Sequence, residues 1–250
     1  MDAPLAVILA AGKGTRMKTD QPKVLVPALG RPMIHFVLDA VFKAGISKAV
    51  VVVGYRSDDV REELADCSQV VFVEQTEQNG TGHAVMVCSD QLQNHDGPTL
   101  ILTGDSPLVQ SSSLSRLLDT YRKDRPACIL GTAHRDDPTG LGRIVRDDSG
   151  EFLGIVEEKD ATDAQRAITE VNMSTYVFHT PDLLSALPRL SDNNRQGEYY
   201  ITDCPAILKA DNRPIRAEAV LEPCEALSVN TLEDLAAVED EMRRLGYAEA

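Results

Sequence analysis

The apolar run Leu5–Leu9 leads into Ala10-Ala11-Gly12-Lys13-Gly14-Thr15-Arg16-Met17. Residues of these types in this order suit the capture of phosphate. A glycine without Cβ lets backbone N–H groups come close to an anion. In an open α/β sheet, the loop after the first strand is a common nucleotide site. Four cations, Lys13, Arg16, Lys18 and Lys23, cluster here in a chain whose formal net charge is −14. Two familiar loops are excluded. The spacing G-x-x-x-x-G-K-[ST] is absent, and Met17 stands at the third glycine position of G-x-G-x-x-G. The plain alternative is an ordinary strand-to-helix turn, and the cation cluster argues against it. Lys18 is read as a solvated surface charge.

Such a loop needs a rigid platform, and the rest of the chain reads as one. Leu5–Leu9, Lys48–Val53, Val70–Val73 and Thr99–Leu102 are short continuous apolar runs, the pattern of strands covered on both faces. Helical periods at Arg31–Ala44, Asp58–Leu64, Thr81–Ser89 and Ser113–Arg122 alternate with them. Pro32 opens the first of these helices, and Gly45 follows its end. This β-α-β-α order predicts an α/β, doubly wound sheet. Beyond it, Leu141–Arg146 and Glu151–Glu157 flank Asp147-Asp148-Ser149-Gly150, a hairpin-like turn. Val171–Phe178 reads as a further strand, and Pro181–Leu187 and Ile201–Ala210 as helices. Leu232–Leu245 is amphipathic, with Leu232, Leu235, Val238 and Met242 on one face. One unit spanning residues 1–250 is expected, its later hairpins covering the carboxyl edge of the sheet.

With 43% hydrophobic and 26% charged residues over 250 positions, the composition is that of a globular chain able to bury a core. Aromatics are 4% and Trp is absent, so that core must be aliphatic. The acidic excess disfavours a nucleic-acid surface but leaves room for a nucleotide in a local cationic pocket. No apolar run approaches the ~18 residues of a membrane span. Asp2 and the lack of a basic n-region argue against a signal peptide. The five cysteines form no C-x-x-C pair, as in a reducing compartment. A cytoplasmic protein without membrane or nucleic-acid partners is expected.

The stretch Leu9–Met17, followed by Gln21-Pro22-Lys23-Val24-Leu25, resembles the signature of the sugar-phosphate nucleotidyltransferases. Within that family it is similar to the uridylyltransferase region of the bacterial N-acetylglucosamine-1-phosphate uridylyltransferases. The resemblance runs on through Glu77–Ala84, Gly104–Leu108, Pro138–Ile144, Ile155–Ala161 and Gln196–Asp203. It implies a Rossmann-like mixed sheet of the glycosyltransferase-A kind with β-hairpin insertions. It also implies transfer of a uridylyl group from UTP to N-acetylglucosamine-1-phosphate, with release of pyrophosphate. The attacking phosphate oxygen is already anionic, so no strong base is required. Charge screening, in-line alignment and stabilisation of the leaving group are required.

By resemblance, Asp105 and Asn230 bind Mg²⁺, a cation that keeps few protein ligands. Asp105 follows the run Thr99–Leu102, at a strand's carboxyl end. Asn230 competes with a helix-capping role, since Asn-Thr-Leu-Glu-Asp also reads as a helix start. Lys23 is expected on the phosphates of both substrates and Arg16 on the β/γ-phosphates. Gln75, Gly80 and Thr81 are the implied uracil readers, with Leu9, Ala10, Ala11 and Gly12 supporting base and ribose. Thr81 has a second reading as a helix cap, and His83 is read as a packing residue. Gly142, Glu157 and Asn172 match the positions that hold the sugar, and Tyr200 and Thr202 those that close its pocket.

The family's repeating hexapeptides of a left-handed β-helix are missing, so acetyl transfer is not expected of this chain, and its oligomeric state is left open. Val171-Asn172-Met173-Ser174-Thr175 takes the place of the family's usual Asn-Thr-Gly, and Thr103 stands where an aromatic residue is common. The sugar therefore stays open, as do dTTP or CTP in place of UTP. A non-catalytic nucleotide-sugar sensor is the reading from another class.

Overall fold

A computed structural model describes residues 3–17 and 19–249. Lys18 and Asp2, read above as a surface charge and an argument against a signal peptide, lie outside the described residues. The chain opens with β1 (Leu5–Leu9), the short hairpin β2 (Pro27–Ala28) and β3 (Arg31–Pro32), then α1 (Met33–Lys43). Next come β4 (Ala49–Val53), α2 (Ser57–Glu63), β5 (Val70–Glu74), α3 (Thr81–Met86), α4 (Ser89–Leu92), β6 (Pro98–Thr103) and α5 (Ser111–Asp124). The second half supplies β7 (Cys128–His134), β8 (Gly142–Arg146), β9 (Phe152–Val156), α6 (Asp163–Arg166), β10 (Glu170–His179) and α7 (Thr180–Ala186). It closes with α8 (Cys204–Ala210), β11 (Ile215–Glu218) and α9 (Leu232–Arg244).

The main sheet runs β11-β7-β10-β6-β1-β4-β5, with β8 joined to β10 and β9 to β8. Strands β6, β1, β4 and β5 run parallel to one another, so their carboxyl ends lie along one edge. β10 is antiparallel to both β6 and β7. The apolar runs lack alternation because both faces are covered. Ala6, Ile8 and Val51 pack with Ile34, Val37 and Val41 of α1 and Leu114 and Leu117 of α5. Val7, Val50 and Val52 pack on the other face with Val85 of α3, Leu183 of α7 and Leu208 of α8. This is the doubly wound mixed sheet that the alternating pattern predicts.

Several boundaries differ from the sequence expectation. Pro32 caps α1, while Arg31-Pro32 belongs to the β2–β3 hairpin. The single helix expected over Thr81–Ser89 divides into α3 and α4. Ile201–Asp203 is a 3-10 turn leading into α8. The expected Asp147–Gly150 turn joins β8 to β9. Asp147 Oδ1 accepts from the N–H of Ser149 and Glu151, and Gly150 has φ +87°. Strands β7 and β11 were not foreseen. On α9, Val238 and Met242 are buried, but Leu232 is 60% exposed. It occupies the first helical position after the cap Thr231, where the helix has not yet reached its partner.

A third cluster bears on the site. Met17, Val26, Met33, Leu108, Val229, Val238 and Met242 are buried together beside the sheet. Met17 therefore anchors the end of the glycine loop, and Val229 anchors the segment before α9. All five cysteines are free thiols. Burial pushes the Cys88 and Cys204 thiols up to about 12, so these side chains act as small apolar groups. No helix among the described residues is long and apolar enough to cross a membrane.

Candidate active site

The carboxyl ends of β1, β5 and β6 open on a cavity of about 400 Å³. Its walls include Leu9, Ala10, Ala11, Gly12, Arg16, Lys23, Gln75, Gly80, Thr81 and Asp105. Every residue read from the sequence as a nucleotide contact or phosphate ligand, Asn230 apart, thus lines one space. The backbone explains the convergence. Ala10 N–H donates to Val52 O at 2.9 Å, and Gln75 N–H to Val53 O at 2.8 Å, which ties three strand ends together. Gly14 has φ +67°, and a Cβ there would lie 2.8 Å from Lys23 Cβ. Its absence lets the Lys23 side chain pass over the loop.

Asn230 reaches the same place from the far end of the chain. Its Oδ1 accepts from Lys23 Nζ at 2.8 Å and from Arg16 Nη2 at 2.8 Å. Lys23 Nζ also donates to Asp105 Oδ2 in a half-buried ion pair. Arg16 and Asn230 each neighbour a residue of the third core cluster, Met17 and Val229, so buried packing brings two distant loops together. The competition over capping is resolved in favour of Thr231. Thr231 Oγ1 accepts from Asp234 N–H at 3.1 Å, and Asp234 Oδ2 accepts from Thr231 N–H at 2.9 Å. The Asn230 carbonyl oxygen is left to face the cations.

Gly80 has φ +101°, and a Cβ there would stand 2.6 Å from Tyr199 O and 2.8 Å from Glu198 Cβ. The segment around Tyr199 is clasped against this turn. Tyr199 N–H donates to Asn79 O at 2.9 Å, and Gly82 N–H donates to Tyr199 O at 2.7 Å. Thr81 does not cap its own helix, since Gly80 holds that position. Its Oγ1 accepts from Ile201 N–H at 3.2 Å, a further link to the same segment. Gln75, 3% exposed, donates from Nε2 to Gly80 O at 3.1 Å and lies 3.0 Å from His83 Nδ1. His83, read from sequence as packing, therefore touches Gln75, one of the residues read from sequence as a uracil contact.

The residues read as sugar contacts line two smaller cavities next door. Glu157, Tyr200 and Thr202 share one of about 190 Å³ with Leu9, Thr81 and Thr103. Gly142, Glu157 and Asn172 share one of about 200 Å³ with Thr103 and Asp105. Glu157 lies between the two. Burial raises its pKa, against the hydrogen bond from Thr202 Oγ1 at 3.1 Å. The Asn172 amide donates to Tyr176 Oη at 2.6 Å, and the Gln196 amide to Tyr200 Oη at 2.6 Å.

Four further residues join these walls. Glu198 lines both the 400 Å³ cavity and the Tyr200 cavity. Tyr176 and Gln196 line the latter. Ser174 lines both sugar-side cavities, at a bulge in β10, with φ +50°. Glu198 and Gln196 fall in the Gln196–Asp203 stretch that carried the family resemblance. Tyr176 lies in an apolar run that signals only a strand, whereas Ser174 falls in the stretch that departs from the family's usual Asn-Thr-Gly.

Known proteins bear on this site. The family model for the MobA-like NTP transferase domain matches residues 6–243. The chain is 45% identical over 238 residues to the bifunctional protein GlmU of Geobacillus sp. (strain WCH70), covering 95% of this chain and 51% of that protein. It is 45% identical over 239 residues to GlmU of Streptococcus pyogenes serotype M12 (strain MGAS2096), covering 96% and 57%. The chain thus spans about half the length of these curated relatives. Its fold is similar to a UDP-glucose pyrophosphorylase solved with UDP-glucose, with TM-score 0.79, 17% identity and coverage of 98% and 100%. It is also similar to a Bacillus anthracis protein described as a candidate glucose-1-phosphate thymidylyltransferase, with TM-score 0.80, 17% identity and 96% coverage of each.

Proposed function

Because this chain belongs to the MobA-like NTP transferase domain family, we propose that it transfers a uridylyl group from UTP to N-acetylglucosamine-1-phosphate. UDP-N-acetylglucosamine and pyrophosphate are the products. One observation carries this reading. Lys23, Arg16, Asp105 and Asn230 converge at a cavity whose walls also hold Gln75, Gly80 and Thr81. Cations able to bind phosphate and groups able to hydrogen-bond a base thus line one nucleotide-sized space, which supports this reading.

The residues fit a divalent cation. Asp105 Oδ2 and Asn230 Oδ1 already share one ammonium, that of Lys23, so a carboxylate and an amide oxygen point at one positive centre. That hard-oxygen pair, with room for phosphates and water, suits magnesium. Held by Asp105 and Asn230, the ion would supply charge neutralisation on the triphosphate. Displaced from its resting partners, Lys23 would bridge the phosphates of both substrates and reduce their mutual repulsion. Arg16 would hold the departing pyrophosphate with a forked contact. A sugar-phosphate oxygen attacks the α-phosphorus, the bond to the β-phosphate oxygen breaks, and pyrophosphate leaves with the electron pair. No side chain is needed as a base. Glu157, Asn172 and Thr202 would orient the sugar through its hydroxyl and amide groups.

A second reading, the same chemistry on another sugar-1-phosphate, is favoured by Ser174. Its side chain lines both sugar-side cavities at a positive φ where glycine would leave open space. The test is pyrophosphate release with UTP, Mg²⁺ and a panel of N-acetylglucosamine-, glucosamine-, glucose- and N-acetylgalactosamine-1-phosphate. Preference for N-acetylglucosamine-1-phosphate supports the first reading, and preference for another sugar supports the second. Absence of turnover in a protein that still binds a nucleotide sugar would favour a sensor.

A further inference from the structure

Gln75 can read a base in two ways, because its amide presents a donor or an acceptor. Its surroundings select one. Gly80 O lies 3.1 Å from the amide nitrogen, and a backbone carbonyl can only accept. Turning the amide over would set two carbonyl-type oxygens against each other, so the nitrogen must face Gly80. The same nitrogen lies 3.0 Å from His83 Nδ1. A protonated Nδ1 would place two donors head to head. The ring must therefore carry its proton on Nε2 and accept at Nδ1.

We propose that His83 is a specificity-positioning residue that, as its Nε2–H tautomer, locks the Gln75 amide so that only Oε1 remains for the nucleotide. This rests on the reading of the cavity as a pyrimidine nucleotide site. Both amide hydrogens are consumed, one by Gly80 O and one by His83 Nδ1. The group left to the cavity is a pure acceptor. An acceptor there pairs with a ring N–H, which uracil and thymine carry at N3. Neutral cytosine has a lone pair at N3 and meets it with repulsion. The clamp thus discriminates between pyrimidines without touching the ligand. Its place at the start of α3 is fixed by the turn that also supplies Gly80.

The test compares kcat/KM for UTP and CTP in the wild type, His83→Leu and His83→Asn. Leucine fills space but cannot accept, whereas asparagine can offer an oxygen where Nδ1 stood. The loss of one oriented hydrogen bond is on the order of a tenfold change. His83→Leu is expected to reduce the UTP-over-CTP preference by about tenfold, through the nucleotide KM and with kcat nearly unchanged. His83→Asn is expected to restore most of the preference. An unchanged preference in His83→Leu, or a folded His83→Asn that behaves like His83→Leu, would overturn the proposal. A second measurement needs no turnover. Long-range ¹H–¹⁵N correlation spectra of the wild-type protein, assigned with His83→Asn, should show an unprotonated Nδ1 and a protonated Nε2. A proton on Nδ1 would overturn the clamp even if UTP were the substrate. Absence of UTP turnover beside the expected tautomer would instead count against the assigned activity alone.

Discussion

Lys23 and Asp105 form an ion pair on the wall of the cavity proposed to take the nucleotide, and the same ammonium lies 2.8 Å from Asn230 Oδ1. The site rests with its own lysine between the two oxygens proposed to hold magnesium. Asp105→Asn keeps the shape and removes the charge. Metal-dependent pyrophosphate release is expected to fall by about 10²–10³-fold, the scale of losing an electrostatic stabiliser of the transition state. The melting temperature should move by only about 2 °C, because Asp105 is not a core residue. Full activity in this variant would refute the metal assignment.

Glu157 makes a pH prediction with a definite sign. Burial raises its folded pKa above the ordinary glutamate value. Its charged form therefore costs the folded state stability at neutral pH. That cost disappears as the pH falls through the raised folded pKa toward the ordinary value. Glu157→Gln should be more stable than the wild type at neutral pH, and the gap should close on acidification through that window. Chemical denaturation at a series of pH values measures it. A second variant, Glu157→Ala, should raise the sugar-phosphate KM by about tenfold, the loss of a charge-assisted hydrogen bond. A change confined to the nucleotide KM would contradict the pocket assignment.

Ser174 sits at φ +50° in the bulge between Asn172 and Thr175. A side chain in the left-handed region is strained, and glycine relieves this at some entropic cost. Ser174→Gly should gain about 0.5–1 kcal/mol, seen as a rise of about 1–3 °C in Tm. If the Ser174 side chain restricts the sugar pocket, the variant should also broaden the range of accepted sugar-1-phosphates. That is read by repeating the substrate panel.

At Gly80 a methyl group has no room. The nearest atoms would be Tyr199 O at 2.6 Å and Glu198 Cβ at 2.8 Å, and φ is +101°. Gly80→Ala should cost about 2–4 kcal/mol from overpacking and backbone strain together. It should weaken binding of nucleotide and sugar phosphate alike. Isothermal titration with each ligand separates this from a purely local nucleotide defect.

The strands that deliver the site were legible because each is a continuous apolar run, with β1, β4 and β6 buried between helices and the edge strand β5 partly covered. Strand β7, Cys128-Ile129-Leu130-Gly131-Thr132-Ala133-His134, was not. Its order comes from pairing with β10, some forty residues away, and with β11. Strand β11, Ile215-Arg216-Ala217-Glu218, is a short edge strand whose sequence lacks a buried pattern. In the site, glycine spacing and the cation cluster drew attention to the loop after β1. The sequence could not decide between Asn230 and Thr231 as cap, since both types cap helices. Only the folded chain, with Asp234 closing the box on Thr231, frees Asn230. The contact between Gln75 and His83 was equally hidden. It depends on the chain reversing at Gly80, and no periodic pattern encodes that reversal.

The clasp between the Tyr199 segment and the Asn79–Gly82 turn has a consequence for how this protein can change its substrates. Tyr199 is pinned to Asn79 and Gly82, and Thr81 to Ile201, while Tyr200 and Thr202 line the adjoining cavity proposed to hold the sugar. On the proposed assignment of the two cavities, base preference and sugar preference are therefore not separate modules. Grafting a foreign turn at residues 79–82 would drag one wall of the sugar pocket with it. Grafting a foreign 196–202 segment would shift the support of the base. New nucleotide-sugar pairings on this scaffold should arise most readily where both segments are exchanged together, as one inherited unit.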